Sequence, residues 1–247
     1  MNQNGQKTIY KPGYYNKKRL NTTDWIDMYI KKWINEHADK KKETEAPYIN
    51  PCICFSRQIG VGALEIADIL SEIIHYRVVD REILDYMARD TNITKKMIEF
   101  YDERYPGKAS ELFSFLLNKK TFIKSDYARQ LVKTVNTLAD MEPTIFVGRG
   151  THLILPSNKI LSIRLICSKG YRINRLAEML NISKAEAETQ LNIMDIEQHD
   201  FFKTVYQKKE TSFDEFDLVI NRDHINDAFQ AAKIVACAFE QKFGLKI

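Results

Sequence analysis

The chain has 247 residues, of which 44% are hydrophobic and 28% charged, a balance typical of globular proteins that excludes a disordered or low-complexity chain. The formal net charge of +4 is too small to indicate a nucleic-acid partner, but it suits anionic small molecules such as nucleotides. The apolar stretches fall well short of the roughly 20 residues that a membrane span needs, so no membrane partner is expected.

The N-terminus and the cysteines predict a cytoplasmic protein. Residues 1–15 are polar and have no apolar region of the kind found in secretory signals. The cysteines form no CxxC pair and the histidines show no HExxH spacing, which argues against a zinc site and a disulfide framework. We therefore expect buried free thiols, as in a reducing compartment. The cysteines are Cys52, Cys54, Cys167 and Cys237.

Residues 1–50 are predicted to form an N-terminal extension, and residues 51–247 the main domain. Apolar side chains in the extension recur at helical spacing and predict a helix. Thr23, which precedes them, can cap this helix. These side chains are Trp25, Met28, Tyr29 and Trp33. A lysine run at 40–42 and Pro47 then predict a solvated linker. We expect the helix to dock on the main domain or on a partner.

From residue 51 onward, short apolar segments alternate with helical ones. Strands are predicted at 52–55, 76–79, 144–147, 161–166 and 216–220. Helices are predicted after Gly62, throughout 81–140, from the Ser183–Glu186 capping box to about Met194, and at 225–243. Strands that are apolar throughout and are separated by helices predict an α/β fold with a parallel sheet covered on both faces.

The loop after the first strand has the form of a phosphate-binding site. Gly60 and Gly62 allow the backbone to turn its N–H groups inward, and the following helix adds partial positive charge at its N-terminus. Glycine pairs also occur in plain tight turns. The position of this one, after the first strand of a parallel α/β pattern, favours phosphate binding by the backbone of residues 57–64.

Several ordered blocks between about residues 50 and 245 resemble the cytidylate-kinase-like family. The first block, residues 53–67, resembles the family's apolar strand followed by Ser-Arg-Glu-aromatic-Gly-Ser-Gly-Gly-Arg-Glu-Ile-Ala. The later blocks are Val79-Asp80-Arg81-Glu82-Ile83-Leu84, Tyr101-Asp102-Glu103, Phe146-Val147-Gly148-Arg149-Gly150, Tyr171-Arg172-Ile173-Asn174-Arg175 and Asp217-Leu218-Val219-Ile220-Asn221.

This resemblance implies a P-loop kinase fold in three α/β/α layers. It also implies ATP with Mg²⁺ as phosphate donor and a nucleoside monophosphate such as CMP as acceptor. The stretch 81–140 would include a helical acceptor-binding insertion, and residues 183–210 would form a mobile lid.

The resemblance, together with the chemistry of phosphoryl transfer, assigns roles to individual residues. Arginine is favoured because its guanidinium fork matches phosphate geometry. The assigned sets are Arg149, Arg172 and Arg175 for catalysis, Arg57, Gly60, Gly62, Ala63, Leu64 and Glu65 for ATP binding, and Asp80 and Arg149 for acceptor binding. Glu65 is also the candidate Mg²⁺ ligand. As alternatives, Arg172 and Arg175 pair with nearby carboxylates, and Asp80 caps the helix that begins at Arg81.

The sequence departs from the phosphate-loop pattern, and two hypotheses of function follow. No lysine follows Gly62, although a Walker A loop uses one to reach the β- and γ-phosphates. The resembled family has arginine where this chain has Leu64 and Gln198, and true cytidylate kinases have an acidic residue in place of Val147. The chain is therefore either an ATP-dependent kinase for a CMP-like or related small molecule, or a catalytically inactive nucleotide-binding or regulatory protein of the same fold.

Overall fold

A computed structural model describes Tyr10, Tyr15 and residues 20–37, 51–90, 92 and 125–245. The helices in these ranges are α1 (Thr22–His37), α2 (Ala63–Ile74), α3 (Arg81–Arg89), α4 (Asp126–Met141), α5 (Lys169–Leu180), α6 (Lys184–Tyr206) and α7 (Ala228–Phe243). The strands are β1 (Cys52–Arg57), β2 (Arg77–Val79), β3 (Thr144–Val147), β4 (Ile160–Ile166) and β5 (Leu218–Asn221). The predictions for 40–42, Pro47, the side chain of Trp33 and the motifs at 101–107 lie outside the described residues.

The five strands form one parallel sheet in the order β2-β3-β1-β4-β5. Strand β1 lies at the centre, where Ile53 is paired with Ile145 of β3 and Leu161 of β4. Since the strands are parallel, the loops that follow β1 and β3 meet at one edge of the sheet, where open α/β sheets bind ligands. The predicted parallel α/β fold is confirmed.

Helices cover both faces of the sheet because successive side chains of a strand point to opposite sides. Ile53 and Phe55 pack in a cluster with α2 and α7. Cys52 and Cys54 pack on the opposite face, with α3 and α4. A strand that is apolar on both sides requires a layer on each side, so the chain forms the predicted three-layer α/β/α arrangement.

Helix α1 buries one aliphatic and one aromatic side chain of the N-terminal extension. Ile26 and Tyr29 are at most 1% exposed and lie in the same cluster as the apolar faces of α3 and α4. The cap predicted at Thr23 is wrong, because Asn21 accepts the backbone N–H of Asp24 at 2.8 Å, and the helix begins one residue before Thr23. The boundary at residue 50 and the functional role of this helix stay predictions.

Helix α6 is longer than predicted. The Ser183–Glu186 capping box is present, but the helix continues past Met194 to Tyr206. The segment 184–206 contains neither Pro nor Gly, so nothing in the backbone stops the helix. Its last turn is anchored by Val205 and Tyr206, both of which are buried. The mostly polar residues 195–200 interrupt the apolar pattern after Met194. This interruption hid the continuation of the helix.

Three expectations near the C-terminus are also wrong. Strand β5 begins at Leu218 rather than at 216, because Phe213–Glu215 forms a 3₁₀ turn. Helix α7 begins at Ala228 rather than at 225, because the carboxylate of Asp227 caps it by accepting hydrogen bonds from the backbone amides of Phe229 and Gln230. Cys237 is exposed, whereas the other three cysteines are buried as expected. No helix in the described part of the chain is long and apolar enough to cross a membrane.

The side chain of His152, just beyond the turn after β3, is only 2% exposed and its ring centroid lies 4.8 Å from that of Phe216. Burial lowers the pKa of His152 to about 4, although the carboxylate of Glu215 opposes the shift. The unfolded chain, with a histidine pKa of about 6.5, therefore takes up this proton first as the pH falls.

We expect the free energy of unfolding to decrease by about 2–3 kcal/mol between pH 6.5 and pH 4 because His152 stays neutral in the folded protein. Urea denaturation at a series of pH values measures this change. In His152→Leu the dependence over that interval should flatten, whereas in His199→Gln, which alters an exposed histidine, it should stay. Equal pH slopes in the wild type and His152→Leu would refute the assignment.

Candidate active site

The glycine loop connects β1 to α2 at the carboxyl edge of the sheet. Gly60 and Gly62 have φ values of +79° and +83°, a left-handed conformation that glycine adopts without strain. Gly62 is also the N-cap of α2, and no side chain caps this helix. The amides of the first turn are thus not satisfied by a capping side chain, which is the arrangement that binds anions.

Ala63 and Leu64 are both 4% exposed, and their side chains pack in the core cluster between α2 and the sheet. They can therefore offer only backbone groups to a ligand. The position at which the resembled family has an arginine is occupied here by an apolar anchor of the helix. This part of the loop provides N–H donors but no charge.

The two predicted arginines of α5 both flank the glycine loop, with different partners. Arg175 donates from Nη2 to Oε2 of Glu65 at 2.8 Å, and a methyl group at Gly62 would lie 3.2 Å from its guanidinium. Arg172 is buried and donates from Nη1 to both carboxylate oxygens of Asp195, each at 2.9 Å. Arg175 thus lies on the loop, while Arg172 ties α5 to α6.

The turn after β3 is unusual in its backbone. Gly148, Arg149 and Gly150 have consecutive φ values of +91°, +55° and +66°. A left-handed arginine is strained, and such strain concentrates at functional sites. The ring of Tyr206 lies so close that a Cβ at Gly150 would be 2.6 Å from its Cε2, and its hydroxyl donates to the Arg149 carbonyl at 2.5 Å. The last turn of α6 therefore holds this conformation in place.

The side chain of Arg149 is held by several groups but keeps a spare donor. It forms an ion pair with Asp85, which also accepts the hydroxyl of Tyr127 at 2.6 Å. Its guanidinium carbon lies 4.1 Å from the ring centroid of Phe201, at a distance typical of a cation–π contact. Its buried Nε has no hydrogen-bond partner among the described residues. A buried unpaired donor is costly, so the guanidinium is kept in this position by its other contacts at a cost in free energy.

Arg57, at the end of β1, forms a reciprocal pair with Gln198 of α6. Its Nη1 donates to Oε1 of Gln198 at 2.7 Å, and Nε2 of Gln198 donates to the Arg57 carbonyl at 3.2 Å. Burial lowers the pKa of Arg57 to about 10, and the nearby charges of Arg81 and Arg149 act in the same direction. Gln198 thus positions a buried arginine, although it supplies no charge of its own.

Arginines from three elements meet in a cavity of about 470 Å³ beside these residues. They are Arg57, Arg81, Arg89 and Arg149. Aromatic side chains (Tyr127, Phe201 and Phe202) and two carboxylates (Glu197 and Asp200) complete its wall. This arginine cavity has the size of a small-molecule site, and its arginines are complementary to an anion. Burial lowers the pKa of Arg57 and of Arg81, and the charge of Arg149 acts in the same direction on both.

The family model described as the cytidylate kinase-like family matches residues 52–224, which include both the glycine loop and the arginine cavity. The chain belongs to the cytidylate kinase-like family. Membership in this family indicates a kinase of the P-loop type for a nucleotide or another small molecule. Among curated proteins, none matches this chain significantly.

A solved structure shares the fold. The chain is similar to an uncharacterized protein from Eubacterium ventriosum, with a TM-score of 0.57 and 18% identity over 78% of this chain and 99% of that chain. It also matches a shikimate kinase from Bacteroides thetaiotaomicron (TM-score 0.40, 13% identity, 79% of this chain and 99% of that chain). A gluconokinase from Sinorhizobium meliloti matches at TM-score 0.42 and 13% identity, over 79% of this chain and 98% of that chain. At 18% identity the likeness to the Eubacterium ventriosum protein concerns the fold alone.

Asp80, predicted to bind the acceptor, is not among the residues that line the arginine cavity of this cytidylate kinase-like chain. Its Oδ1 accepts the amide of Ile83 at 3.0 Å and so caps α3. It lines a separate cavity of about 290 Å³ together with Trp25 and Arg77. The structure thus agrees with the helix-cap alternative for this residue, and a contact with the acceptor stays a prediction.

Arg81 and Arg89 belong to the cavity but were not among the predicted site residues. They lie with Asp85 at four-residue spacing, which places all three on one face of α3. Arg81 Nε is 3.8 Å from Asp85 Oδ2. This spacing was visible in the sequence, but nothing in it shows that the face points into a cavity rather than into solvent.

The described residues contain no group of three or more His, Cys, Asp or Glu side chains that could hold a metal ion. Glu65 is the acidic residue in the first turn of α2, beside the glycine loop. Proteins usually bind Mg²⁺ through one or two carboxylates together with substrate phosphates and water, rather than through a full protein cage. This donor set fits a Mg²⁺ ion that arrives with a nucleotide.

Proposed function

We propose that this protein transfers the γ-phosphoryl group of ATP to a nucleoside monophosphate such as CMP, or to a related small molecule that carries phosphate. The observation that supports the proposal is that Arg57 lines two neighbouring sites. One is a cleft at the glycine loop, which Gly60, Gly62 and Glu65 also line, and the other is the arginine cavity. A donor held at the loop and an acceptor held in the cavity would thus meet at one buried cation. Such an arrangement suits transfer between two anions.

Phosphoryl transfer requires charge neutralisation and in-line positioning rather than a covalent contribution from the protein. The loop amides and the N-terminus of α2 would bind the donor phosphates. Arg149, Arg81 and Arg89 would bind the acceptor phosphate. An oxygen of that phosphate forms a bond to the γ-phosphorus, and the bond from the γ-phosphorus to its bridging oxygen breaks, so ADP leaves. Arg57 would neutralise charge between the two.

The remaining wall of the cavity suits a planar, polar base. The rings of Phe201 and Phe202 offer apolar faces for stacking, as aromatic side chains do for bases elsewhere. Glu197 and Asp200 line the same cavity and would accept hydrogen bonds from an exocyclic amino group. These features support a base of the cytosine or adenine kind over an acceptor without amino groups.

Mg²⁺ would neutralise the phosphates of ATP, with Glu65 as its protein ligand. Since Oε2 of Glu65 now accepts from Arg175, metal binding would require this ion pair to open. The release of Arg175 would at the same time give the transferring phosphate a second cation. Metal binding and the placement of Arg175 are thus expected to be coupled.

A second function, that of a catalytically inactive nucleotide-binding or regulatory protein, is favoured by one observation. Arg175 rests on Gly62 and is paired with Glu65, and Leu64 contributes no charge. An arginine kept in this position would leave the donor phosphates with the loop amides and Arg57 alone. Such a site could hold a nucleotide without stabilising its transfer.

Isothermal titration with ATP and with CMP, each with and without Mg²⁺, tests the proposal when it is followed by an assay of ADP release. We expect Mg²⁺-dependent ATP binding, CMP binding and turnover in the wild type. In Glu65→Gln, the Mg²⁺ dependence of ATP binding should be lost. Binding of both nucleotides without ADP release would favour the inactive protein, and binding of neither would refute both functions. Unchanged metal dependence in Glu65→Gln would remove Glu65 as a ligand.

A further inference from the structure

Tyr10 of the N-terminal extension packs directly against the glycine loop. Its side chain is 3% exposed and lies in an apolar cluster that joins the loop to α5 and α6. The other buried members of this cluster are Ile59, Leu176, Ala177, Ala187 and Leu191. Its backbone N–H donates to Oε1 of Gln190, on α6, at 2.7 Å. One residue of the extension therefore contacts the loop and the two helices beside it.

Tyr15 contacts α2, the helix that follows the same loop. Its hydroxyl donates to Asp68 on α2, one turn beyond Glu65, and its ring packs against the core cluster that contains α2. Tyr10 and Tyr15 line one cleft together with Arg175 and the loop residues 57–58 and 60–65. We call this pair of side chains the tyrosine strap.

The cleft that the tyrosine strap lines together with Arg175 is nearly filled. Its free volume is about 10 Å³, roughly the minimum that a single water molecule needs. A nucleotide phosphate, which is larger than water, does not fit this arrangement. The arginine cavity a short distance away, at about 470 Å³, is open by comparison. The acceptor side of the site is therefore accessible while the donor side is covered.

We propose that Tyr10 and Tyr15 form an autoinhibitory strap, which must leave the glycine loop before the phosphates of a nucleoside triphosphate can bind there. The identity of the ligand rests on the function proposed above, but the covering of the loop does not. Tyr10 bridges the loop to α6, so its departure also removes one of the contacts that hold α6 against the loop. Release of the strap thereby couples donor binding to the helix that carries Gln198 and Phe201.

The thermodynamic consequence is a reduced apparent affinity. If only a small fraction of molecules has the strap released, the apparent dissociation constant for MgATP exceeds the intrinsic one by the inverse of that fraction. A substitution that weakens the strap raises this fraction and tightens binding. A side chain that served as a wall of the nucleotide site would have the opposite effect when removed. The two roles therefore predict changes of opposite sign.

The experiment compares full-length wild type, Tyr10→Ala and Tyr15→Phe, with Phe229→Ala as a control that truncates an exposed aromatic residue on α7. Amide hydrogen exchange of residues 60–64 is measured without ligand, and MgATP binding is measured by titration. We expect Tyr10→Ala to accelerate exchange in the loop and to tighten MgATP binding by about tenfold. Tyr15→Phe removes only the hydroxyl bond to Asp68 and should produce a smaller change of the same sign.

The readouts separate the strap from the proposed function. Faster loop exchange in both tyrosine variants, with no MgATP binding by any variant, supports the strap and refutes the function. Loop exchange in the tyrosine variants equal to that of Phe229→Ala overturns the strap. If the wild type binds MgATP, weaker or unchanged MgATP binding in the tyrosine variants also overturns it. Tyr15→Phe is the more conservative change, so it keeps the test valid should Tyr10→Ala fail to fold.

Discussion

Replacing Arg149 with alanine is expected to lower kcat/KM for phosphoryl transfer by roughly 10³-fold, the lower end of the effect of losing an arginine that stabilises a transferring phosphoryl group. The residue lies in the arginine cavity with a buried Nε that has no partner among the described residues. Its removal deletes one of the cations that line the cavity. It also leaves Asp85, an anion, facing the place where the acceptor phosphate would bind.

Steady-state kinetics measure the loss in kcat and in kcat/KM, and titration with CMP measures the loss in acceptor affinity. Arg149→Lys keeps the charge but loses the guanidinium fork, so an intermediate loss is expected. Arg129→Ala is the matched control, because Arg129 is about half exposed and pairs with Asp126 away from the cavity. An Arg149→Ala enzyme within threefold of wild type would exclude Arg149 from acceptor binding and catalysis. Thermal unfolding of each variant shows whether a loss reflects the site or the fold.

The fold was predictable from the sequence because strand apolarity and glycine position are local signals. Strand β1 is buried on both faces, and its composition alone required a layer of helices on each side. The end of α6 was not predictable, because its last turn is fixed by Tyr206 packing on Gly150, a contact between residues distant in sequence. Helix boundaries of this kind depend on tertiary packing that no local pattern records.

The candidate site was predictable in part, for a related reason. The sequence singled out Arg57 and Arg149 because they lie in motifs of the resembled family and because a guanidinium fork matches phosphate geometry. It suggested that Gln198 marks a missing cation, whereas the structure shows that Gln198 holds Arg57 and that Arg81 and Arg89 add charge to the same cavity. The charge of a cavity is the sum of the charges of side chains from several helices, strands and turns. The replacement of one arginine by Gln198 therefore does not determine it.

Carboxylates of the protein pair with guanidinium groups beside the glycine loop. Glu65 is paired with Arg175 and Arg172 with Asp195, so both predicted arginines of α5 have carboxylate partners in the protein. A bound triphosphate would compete with Glu65 for Arg175. The carboxylates of the protein thus occupy the arginines in the way that a phosphate group would. Activity would depend on the replacement of a carboxylate by a phosphate of the bound nucleotide.

We expect Arg222→Ala to lower the free energy of unfolding by about 3 kcal/mol, because hydrogen bonds from a charged donor contribute about 1.5–3 kcal/mol each. The Arg222 side chain is fully buried at the end of β5. It donates from Nη1 to the carbonyls of Ile225 at 2.6 Å and Asp227 at 2.9 Å, and from Nη2 to that of Asn226 at 2.8 Å. The turn before α7 is therefore built around this guanidinium.

Urea denaturation measures the loss, with Arg129→Ala as an exposed arginine control for which less than 1 kcal/mol is expected. A loss below 1 kcal/mol in Arg222→Ala would show that the turn does not depend on its guanidinium. The effect should also reach the site, because Asp223 accepts the amide and hydroxyl of Ser168, the N-cap of α5. Loosening this turn frees the start of the helix that carries Arg172 and Arg175. MgATP affinity should therefore fall in Arg222→Ala even at temperatures where the variant is fully folded.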